Sequence, residues 1–362
     1  MLFVFLIILL VCGGLLTLKL CGIAPFITLR DYIFNHGKSI KNTRDIIKLN
    51  LDLAPLHMID RGYGEYLVHP SVLYIPEGLS GKKWWMAVTP YPNYNSKYEQ
   101  PILYCGKTND NTPPVNWEFV GLIAEPHSKG FNSDPNLFFD GKKIWCFWKE
   151  TKTENTNEGN NWHCIMGRSY DGHVFGDIKK MADNNDQILA NVFSPTVMEV
   201  ENRIVMLATS FEHERVLGSK FPFGRNHLAL WILEKGLEQG CFIFESKVEQ
   251  KYSTDFNYWH AETYKVNSQC YLSLVTDEQA KRILVGVSND GLHYNYSDVP
   301  ILSSYANNLA GLYKASLIVI NGVVYIFFPC RTGWLKRNRK SNIYVTSISL
   351  NKLLSLLKND KK

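Results

Sequence analysis

The stretch Asp134-Pro-Asn-Leu-Phe-Phe-Asp-Gly-Lys-Lys-Ile-Trp-Cys-Phe-Trp148 decides the fold, because it holds one complete hairpin of a repeating unit. A polar residue and a proline open an apolar strand, a turn containing Gly141 follows, and a strongly aromatic strand returns. Asp-Gly between two apolar runs is a hairpin signal, since glycine adopts the backbone angles that a tight turn requires. The sequence therefore predicts a β-hairpin over residues 134–148.

The same unit recurs five times after residue 65, at spacings of 65, 60, 66 and 53 residues. Its five openings begin at His69, Asp134, Ser194, His260 and Tyr313. Each opening strand is followed by a Gly or Asn turn, a partner strand and a third apolar strand. Radial repetition of four-stranded units is typical of β-propellers. We predict an all-β, five-bladed β-propeller over residues 65–350; two packed β-sandwiches are the alternative.

The segments around the repeat have different compositions. Residues 1–24 are nearly all apolar and predict an N-terminal hydrophobic helix, acting as a signal anchor or a cleaved signal peptide, with a buried helix as the alternative. This places the protein in a membrane-anchored or secreted class, although basic residues after the segment favour a cytoplasmic body. Residues 25–64 are expected to be a connecting segment that packs across the outside of the propeller, supplies a closing strand, or does both. Residues 351–362 are expected to form a basic C-terminal tail.

Composition narrows the classes of partner. The net charge of +5 is mild and spread along the chain, which argues against nucleic-acid binding. Nine Trp and nineteen Tyr suit a surface on which sugars stack, although large all-β cores are also rich in aromatics. The eight cysteines lack Cys-x-x-Cys or Cys/His spacing, so the sequence predicts neither a metal site nor another cofactor. We expect a monomer that binds a carbohydrate, with an anionic sugar as one option.

Strand order locates a candidate site. The start of each first strand and the loop between strands two and three lie on one face of a propeller, so all five openings converge at one channel mouth. The residues expected to bind substrate there are His69, Tyr91, Lys149, Trp259, His260, Lys314 and Arg331. For the two histidines, hydrogen-bonded positions in the inner strands are the alternative. Lys314 and Arg331 either bind an acidic group of the substrate or neutralise carboxylates in the channel.

Three carboxylates at this mouth are catalytic candidates. Glycoside hydrolysis needs one protonated carboxyl as acid and one ionised carboxyl as base or nucleophile. Glu262, beside Trp259 and His260, is the predicted acid, and Asp134 is the predicted base of an inverting pair, with Glu99 as a competitor for that role. The alternatives are an Asp134 that only marks a turn and a Glu262 bonded to Lys314 within the channel wall.

The Asp-Pro opening, the five units and the carboxylate that begins an inner strand resemble the five-bladed propeller glycosidases of the arabinanase/xylosidase, invertase-like and mannoside-phosphorylase group. Ser169-Tyr-Asp-Gly and Ser288-Asn-Asp-Gly resemble the Asp-box turn of propeller glycosidases, which is a structural turn at the outer rim. His69-Pro-Ser with Trp84-Trp85, and Asn132-Ser-Asp-Pro, also resemble bacterial and phage propeller proteins of the glycosidase- or sialidase-like kind.

This resemblance implies a glycoside hydrolase acting on a surface or extracellular polysaccharide. The sequence departs from the family pattern, because His69 stands where the arabinanase-like base opens the first blade, and Ser194 where an auxiliary Asp is usual. Glu262 is a loose match to the family acid. A non-catalytic glycan-binding propeller in polysaccharide assembly is therefore the alternative, and a glycan phosphorylase or transferase is a third.

Overall fold

The computed structural model describes thirteen ranges of the 362-residue chain: 49, 55–59, 66–92, 95–108, 110–127, 129–153, 161–182, 192–211, 226–248, 258–277, 280–304, 309–332 and 340–359. The hydrophobic helix predicted over residues 1–24 lies outside these ranges. None of the helices inside them is long and apolar enough to cross a membrane.

Strands dominate the described ranges and are numbered here in chain order. They are β1 (His57–Ile59), β2 (Leu67–Leu79), β3 (Lys82–Pro90), β4 (Ile102–Gly106), β5 (Asn116–Leu122), β6 (Gly130–Phe139), β7 (Ile144–Thr153), β8 (Asn161–Tyr170), β9 (Lys179–Ala182), β10 (Val192–Val200), β11 (Arg203–Phe211), β12 (Asn226–Leu233), β13 (Phe242–Val248), β14 (Tyr258–Asn267), β15 (Cys270–Asp277), β16 (Arg282–Ser288), β17 (Asn295–Tyr296), β18 (Leu302–Ser303), β19 (Ser316–Ile320), β20 (Val323–Thr332) and β21 (Lys340–Ser349). A short 3-10 helix spans Ser96–Tyr98, and the helix α1 spans Leu350–Asn359.

The strands form five sheets, antiparallel except for the pairing of β1 with β5, and these sheets are the five blades of a propeller. Blade one is β2–β5, blade two β6–β9, blade three β10–β13, blade four β14–β17 with β18 beside β16, and blade five β19–β21. Each blade begins with its innermost strand and adds the next ones outward. The five-bladed, all-β prediction is confirmed; the predicted openings at His69, Asp134, Ser194 and His260 lie within innermost strands, and Tyr313 lies three residues before β19.

Apolar packing between neighbouring blades holds the ring together. The described residues contain five buried hydrophobic clusters, one at each junction of two blades. The tryptophans that made the repeat visible fill these junctions: Trp85 lies between blades one and two, and Trp145 between blades two and three. Both indoles are almost fully buried. Much of the aromatic content therefore lies in the core, which agrees with the general richness of large all-β cores in aromatic residues.

The ring closes where the start of the propeller meets its last blade. The Leu56 amide donates to the Ile343 carbonyl at 2.8 Å, and β1 then pairs in parallel with β5 on the outer side of blade one. Nearer the channel, the Ser341 hydroxyl donates to the Leu67 carbonyl at 3.0 Å. Residues 55–59 thus join blade five to blade one, which is the role of a closing strand.

The C-terminal residues differ from the predicted tail. Most of them form α1, whose Leu353 and Leu357 side chains are buried against blades four and five. Leucines four positions apart lie on one face of a helix, and that face is covered here. The basic residues Lys358, Lys361 and Lys362 predict a solvated tail, but the spacing of the leucines decides the structure.

The two Asp-Gly turns form as predicted at the outer ends of blades two and four. The Asp171 carboxylate accepts the amides of His173 and Val174, each at 2.8 Å. The Asp290 carboxylate accepts the equivalent amides of Leu292 and His293 at 2.8 Å, and also the hydroxyl of Ser288 at 2.7 Å. Because these carboxylates are occupied by their own turns, their role is structural.

Candidate active site

Three of the blade openings share an unusual backbone. His69, Asp134 and Ser194 each precede a proline and adopt left-handed φ angles of 54°, 58° and 54°. In each case the register against the second strand shifts there, so the opening residue and its proline form a β-bulge. A left-handed angle is uncommon outside glycine, and bulges re-aim side chains beside functional sites. The repeat thus directs three first residues toward the mouth in the same way.

The opening residues of blades one, two and four meet at the channel mouth. Nδ1 of His69 lies 3.3 Å from Oδ1 of Asp134, and Nδ1 of His260 lies 3.7 Å from the same oxygen. The two imidazole rings are 4.8 Å apart between centroids. One ligand-type atom from each residue lies within 4.8 Å of the others, and all three side chains are buried.

These buried atoms have no hydrogen-bond partner among the described residues. They are Nδ1 of His69, both carboxylate oxygens of Asp134, and both ring nitrogens of His260. Buried polar groups in folded proteins are nearly always hydrogen-bonded, and exceptions call for an explanation such as an ion or a ligand. Two imidazoles and a carboxylate are the donor set of catalytic zinc sites and of related divalent metals, so these residues fit a bound cation.

The protonation states of the two histidines and of Asp134 also fit a bound cation. Burial lowers the pKa of His69 to about 4 and that of His260 well below its ordinary value, although the Asp134 charge opposes both shifts. Burial pushes the pKa of Asp134 upward, but nearby positive charge, led by Lys149, outweighs it and holds the pKa well below its usual range. At neutral pH the imidazoles are uncharged and the carboxylate is ionised, which are the forms that bind metals.

Glu99 lies at the same mouth on the loop between β3 and β4. Its side chain is buried, and its backbone carbonyl accepts the Asn132 amide at 3.1 Å, which joins this loop to the start of blade two. Burial raises the pKa of Glu99 to about 7; the charge of Asp134 adds to this shift and Lys149 opposes it. Glu99 is therefore a carboxyl able to take up and release a proton near neutral pH.

Lys149 links the site to an aromatic wall. Its ammonium lies 3.4 Å from Oδ2 of Asp134 and 5.3 and 5.6 Å from the ring centroids of Phe131 and Phe193. Phe193 in turn lies 5.6 Å from Trp259, whose side chain is 36% exposed beside His260. A partly exposed indole beside a polar cluster offers a surface for the apolar face of a sugar ring.

On the opposite side of His69 lies a second aromatic group. Tyr313 packs edge-on against His69 at 5.8 Å and against Tyr91 at 6.3 Å between ring centroids. The Arg331 guanidinium donates to the Tyr313 hydroxyl at 2.6 Å and lies 5.0 Å from its ring centroid. Tyr91 and Arg331 therefore border the site through Tyr313.

Glu262 and Lys314 are in the channel wall rather than among the three clustered residues. Their side chains form an ion pair of 2.7 Å, and both are buried. The Glu262 carboxylate also accepts the hydroxyls of Ser71 and Ser316 at 3.1 and 3.0 Å. An ion pair with Lys314 in the channel wall is the predicted alternative for Glu262, and a role of Glu262 as catalytic acid stays a prediction.

The structure thus brings together most of the predicted site residues, with a chemistry that the sequence did not indicate. Short local spacings of Cys and His do not indicate a metal site in this sequence, because His69, Asp134 and His260 come from three different blades. A usable signal was present, because all three occupy the same position of the repeat. Phe193 and Tyr313, which border the site, were not among the predicted site residues.

No protein-family model matches the chain, and no curated protein matches its sequence. Among solved structures, the fold is similar to an N-acetylgalactosamine deacetylase from F. plautii in complex with blood group B trisaccharide, at 14% identity over 85% of this chain and 98% of that one, with a TM-score of 0.66. It is also similar to a Penicillium chrysogenum α-L-arabinanase (14% identity, 82% and 80% coverage, TM-score 0.51). A family 117 glycoside hydrolase from Zobellia galactanivorans is a third (12% identity, 83% and 90%, TM-score 0.53). These likenesses confirm the glycosidase-like propeller fold.

Proposed function

We propose that this chain is a carbohydrate-active hydrolase that removes an acyl group from an amino sugar, using a divalent cation held by His69, Asp134 and His260. The observation that carries the proposal is the convergence of these buried residues with ligand atoms left without hydrogen bonds. A divalent cation at this place would polarise the amide carbonyl and lower the pKa of a bound water.

Glu99 is the proton carrier in this proposal. Its ionised carboxylate accepts a proton from the attacking water and then donates that proton to the nitrogen of the leaving amine. The amide and one water give a carboxylate and a free amino sugar, so no further reactant is needed. A pKa of about 7 supports this role, since a group that must both accept and donate a proton works best near the operating pH.

Two observations support an N-acylated sugar as the substrate. A cation site is a means of hydrolysing amides and esters, whereas the usual two-carboxylate hydrolysis of glycosides does not require one. The N-acetylgalactosamine deacetylase shares the fold over nearly its whole length. Trp259 provides the stacking surface for the sugar ring, which fits a glycan. We further propose that this glycan is extracellular or at the cell surface.

A second candidate is glycoside hydrolysis by the inverting pair predicted from the sequence. One observation favours it: the pKa of Glu99 is raised and that of Asp134 is lowered, and divergent pKa values are typical of acid and base pairs. Asp134 would be the base of this pair, as predicted from the sequence; the raised pKa of Glu99 suits the acid, a role that the sequence prediction gave to Glu262 while it made Glu99 a competitor for the base. The arabinanase and the family 117 glycoside hydrolase that share the fold support this candidate.

The test uses the purified full chain on N-acetylated oligosaccharides and aryl glycosides, with and without a chelator, followed by added Zn²⁺ or Co²⁺. We expect acetate release that the chelator abolishes and the metal restores. Asp134→Asn should lose at least about 100-fold in kcat/KM, while Asp298→Asn, an exposed aspartate, serves as the matched control. Release of reducing sugar or aglycone that survives the chelator would instead support glycoside hydrolysis. Saturable glycan binding without any product would point to the non-catalytic propeller.

A further inference from the structure

A second layer of channel residues lies beneath the mouth. The second layer consists of Ser71, Asn136, Thr196 and Glu262, each two positions after the opening residue of its blade, and of Ser316, three positions after Tyr313; all five side chains are buried. Their polar atoms therefore need partners inside the channel.

Four of these five residues tie one blade to the next by accepting a backbone amide. The Ser316 hydroxyl accepts the Val72 amide at 3.0 Å, and the Ser71 hydroxyl accepts the Leu137 amide at 2.9 Å. Two further bonds run from the Val197 amide to Asn136 Oδ1 at 2.9 Å and from the Thr263 amide to Thr196 Oγ1 at 3.1 Å. We call this set the channel belt.

Glu262 differs from the other members of the belt. Its Oε1 accepts the hydroxyls of Ser71 and Ser316, which leaves the lone pairs of those hydroxyls for the backbone amides. Its Oε2 pairs with the Lys314 ammonium at 2.7 Å. The carboxylate therefore fixes the direction of two belt hydroxyls and holds one buried cation.

Lys314 connects the channel belt to the channel mouth. Its ammonium also donates to the carbonyl of Pro135 at 2.5 Å, and its side chain is fully buried. That carbonyl belongs to the residue directly after Asp134, whose backbone is left-handed. A backbone held in an uncommon conformation persists only where its surroundings impose it, and this hydrogen bond is one such contact.

We propose that the buried Glu262–Lys314 pair is a positioning element for Asp134. The pair holds the Asp134-Pro135 bulge from below and so keeps the carboxylate beside the two imidazoles. This inference rests on the proposed function only where it concerns cation affinity. The position of the Asp134 side chain does not depend on the proposed function, because the pair holds it whether or not a cation is bound.

Three variants test this role. Lys314→Met removes the contact to Pro135 but leaves Glu262 buried without its partner, so it risks misfolding. The double variant Glu262→Gln/Lys314→Met removes both charges with similar volumes and keeps the experiment usable, since replacing both members of a buried pair is tolerated better. Thr196→Val is the matched control, because it removes the belt contact between Thr196 and Thr263 and keeps the hydrogen bond from Lys314 to Pro135.

The readouts are the crystal structure of each variant and its Zn²⁺ affinity by competition titration, both of folded protein. We expect the double variant to move the Asp134 carboxylate away from His69 and to bind Zn²⁺ about 10–100-fold more weakly, as for lost supports of metal ligands. Thr196→Val should leave both unchanged while lowering the melting temperature. An unmoved Asp134 with wild-type affinity in the double variant would overturn the inference.

The two proposals can fail separately. If the wild-type protein binds no divalent cation, the proposed function fails, and the position of Asp134 in the variant crystal structures still decides the positioning role. If the wild type binds Zn²⁺ and the double variant, with Asp134 unmoved, binds it equally well, only the positioning role fails.

Discussion

Nδ1 of His69 lies 3.3 Å from Oδ1 of Asp134, although the two residues belong to different blades. Both open their blade, both precede a proline, and both have left-handed backbones. The contact is therefore made by two equivalent positions of the repeat, and the site is a product of the ring rather than of any one blade. Four predictions follow from such contacts and from the packing around them.

The first prediction concerns the pH dependence caused by Glu99. Since its pKa is raised to about 7, activity that needs the ionised carboxylate should rise with pH and level off above about pH 7. Glu99→Gln should lower kcat by about 100-fold or more. Initial rates of deacylation from pH 5 to 9 check both statements, and Glu118→Gln, at a partly exposed carboxylate on blade one, is the matched control.

The same shift has a consequence for stability. A carboxyl whose pKa is higher in the folded than in the unfolded state binds protons more strongly when folded, so the free energy of unfolding falls as pH rises from about 4.5 to about 7. The shift corresponds to about 3 kcal/mol. Glu99→Gln should therefore be more stable than wild type at pH 8. Urea unfolding at pH 5 and pH 8 measures this difference, and equal stabilities at pH 8 would contradict it.

The second prediction concerns His69, whose lowered pKa changes the free energy of unfolding with pH in the opposite direction to Glu99. Because burial lowers its pKa to about 4 from an unfolded value near 6.5, the unfolded chain binds more protons between these values. The free energy of unfolding should fall as pH drops from about 6.5 to about 4. His69→Gln should flatten this slope only in part, since the pKa of His260 is lowered by the same cause. Denaturation curves at pH 4.5 and 7 test it, with His173→Gln on an exposed turn as control.

The third prediction concerns the outer turn of blade four. Asp290→Ala removes the acceptor of two backbone amides and of the Ser288 hydroxyl, which should cost about 1–3 kcal/mol of unfolding free energy. Catalytic parameters and cation affinity should not change, because the turn is at the rim. A variant that keeps full stability but loses activity would refute the structural interpretation of this turn.

The fourth prediction concerns α1. Leu353 is fully buried against blades four and five, so Leu353→Ala should lower the free energy of unfolding by about 2–5 kcal/mol. Ser355→Ala, on the exposed side of the same helix, should change it by less than about 0.5 kcal/mol. Chemical denaturation distinguishes the two. Equal, small effects would mean that the helix is a solvated tail after all.

The fold was largely readable from the sequence because one signal repeats. Hairpins such as residues 134–148 combine two continuously buried apolar strands with a turn residue, and five copies of them define the blades. The helix α1 was missed because its leucine spacing is a single, local pattern beside several lysines. The bulges were also unreadable: His69-Pro, Asp134-Pro and Ser194-Pro predict only an opening, while the left-handed angles depend on the pairing with the second strand.

The sequence predicts which residues belong to the site but not how their side chains are placed relative to one another. His69, Asp134 and His260 were each selected, yet the distances among them depend on how five blades close into a ring. Glu262 was favoured as the acid because it neighbours Trp259 and His260 in sequence. In a strand, however, the step from His260 to Glu262 descends one layer into the channel, where Lys314 and two serines meet the carboxylate.

Ser194 occupies the third of the left-handed openings, and its hydroxyl donates to the Ala261 carbonyl at 3.3 Å instead of joining the cluster. The left-handed backbone that directs His69 and Asp134 toward the mouth is therefore also present at Ser194, whose side chain is small. Exchanging the residue at such an opening changes what faces the mouth without altering the wall beneath it. Over evolutionary time, a ring built in this way can acquire or lose a reactive group by a single codon change, while the propeller itself is conserved.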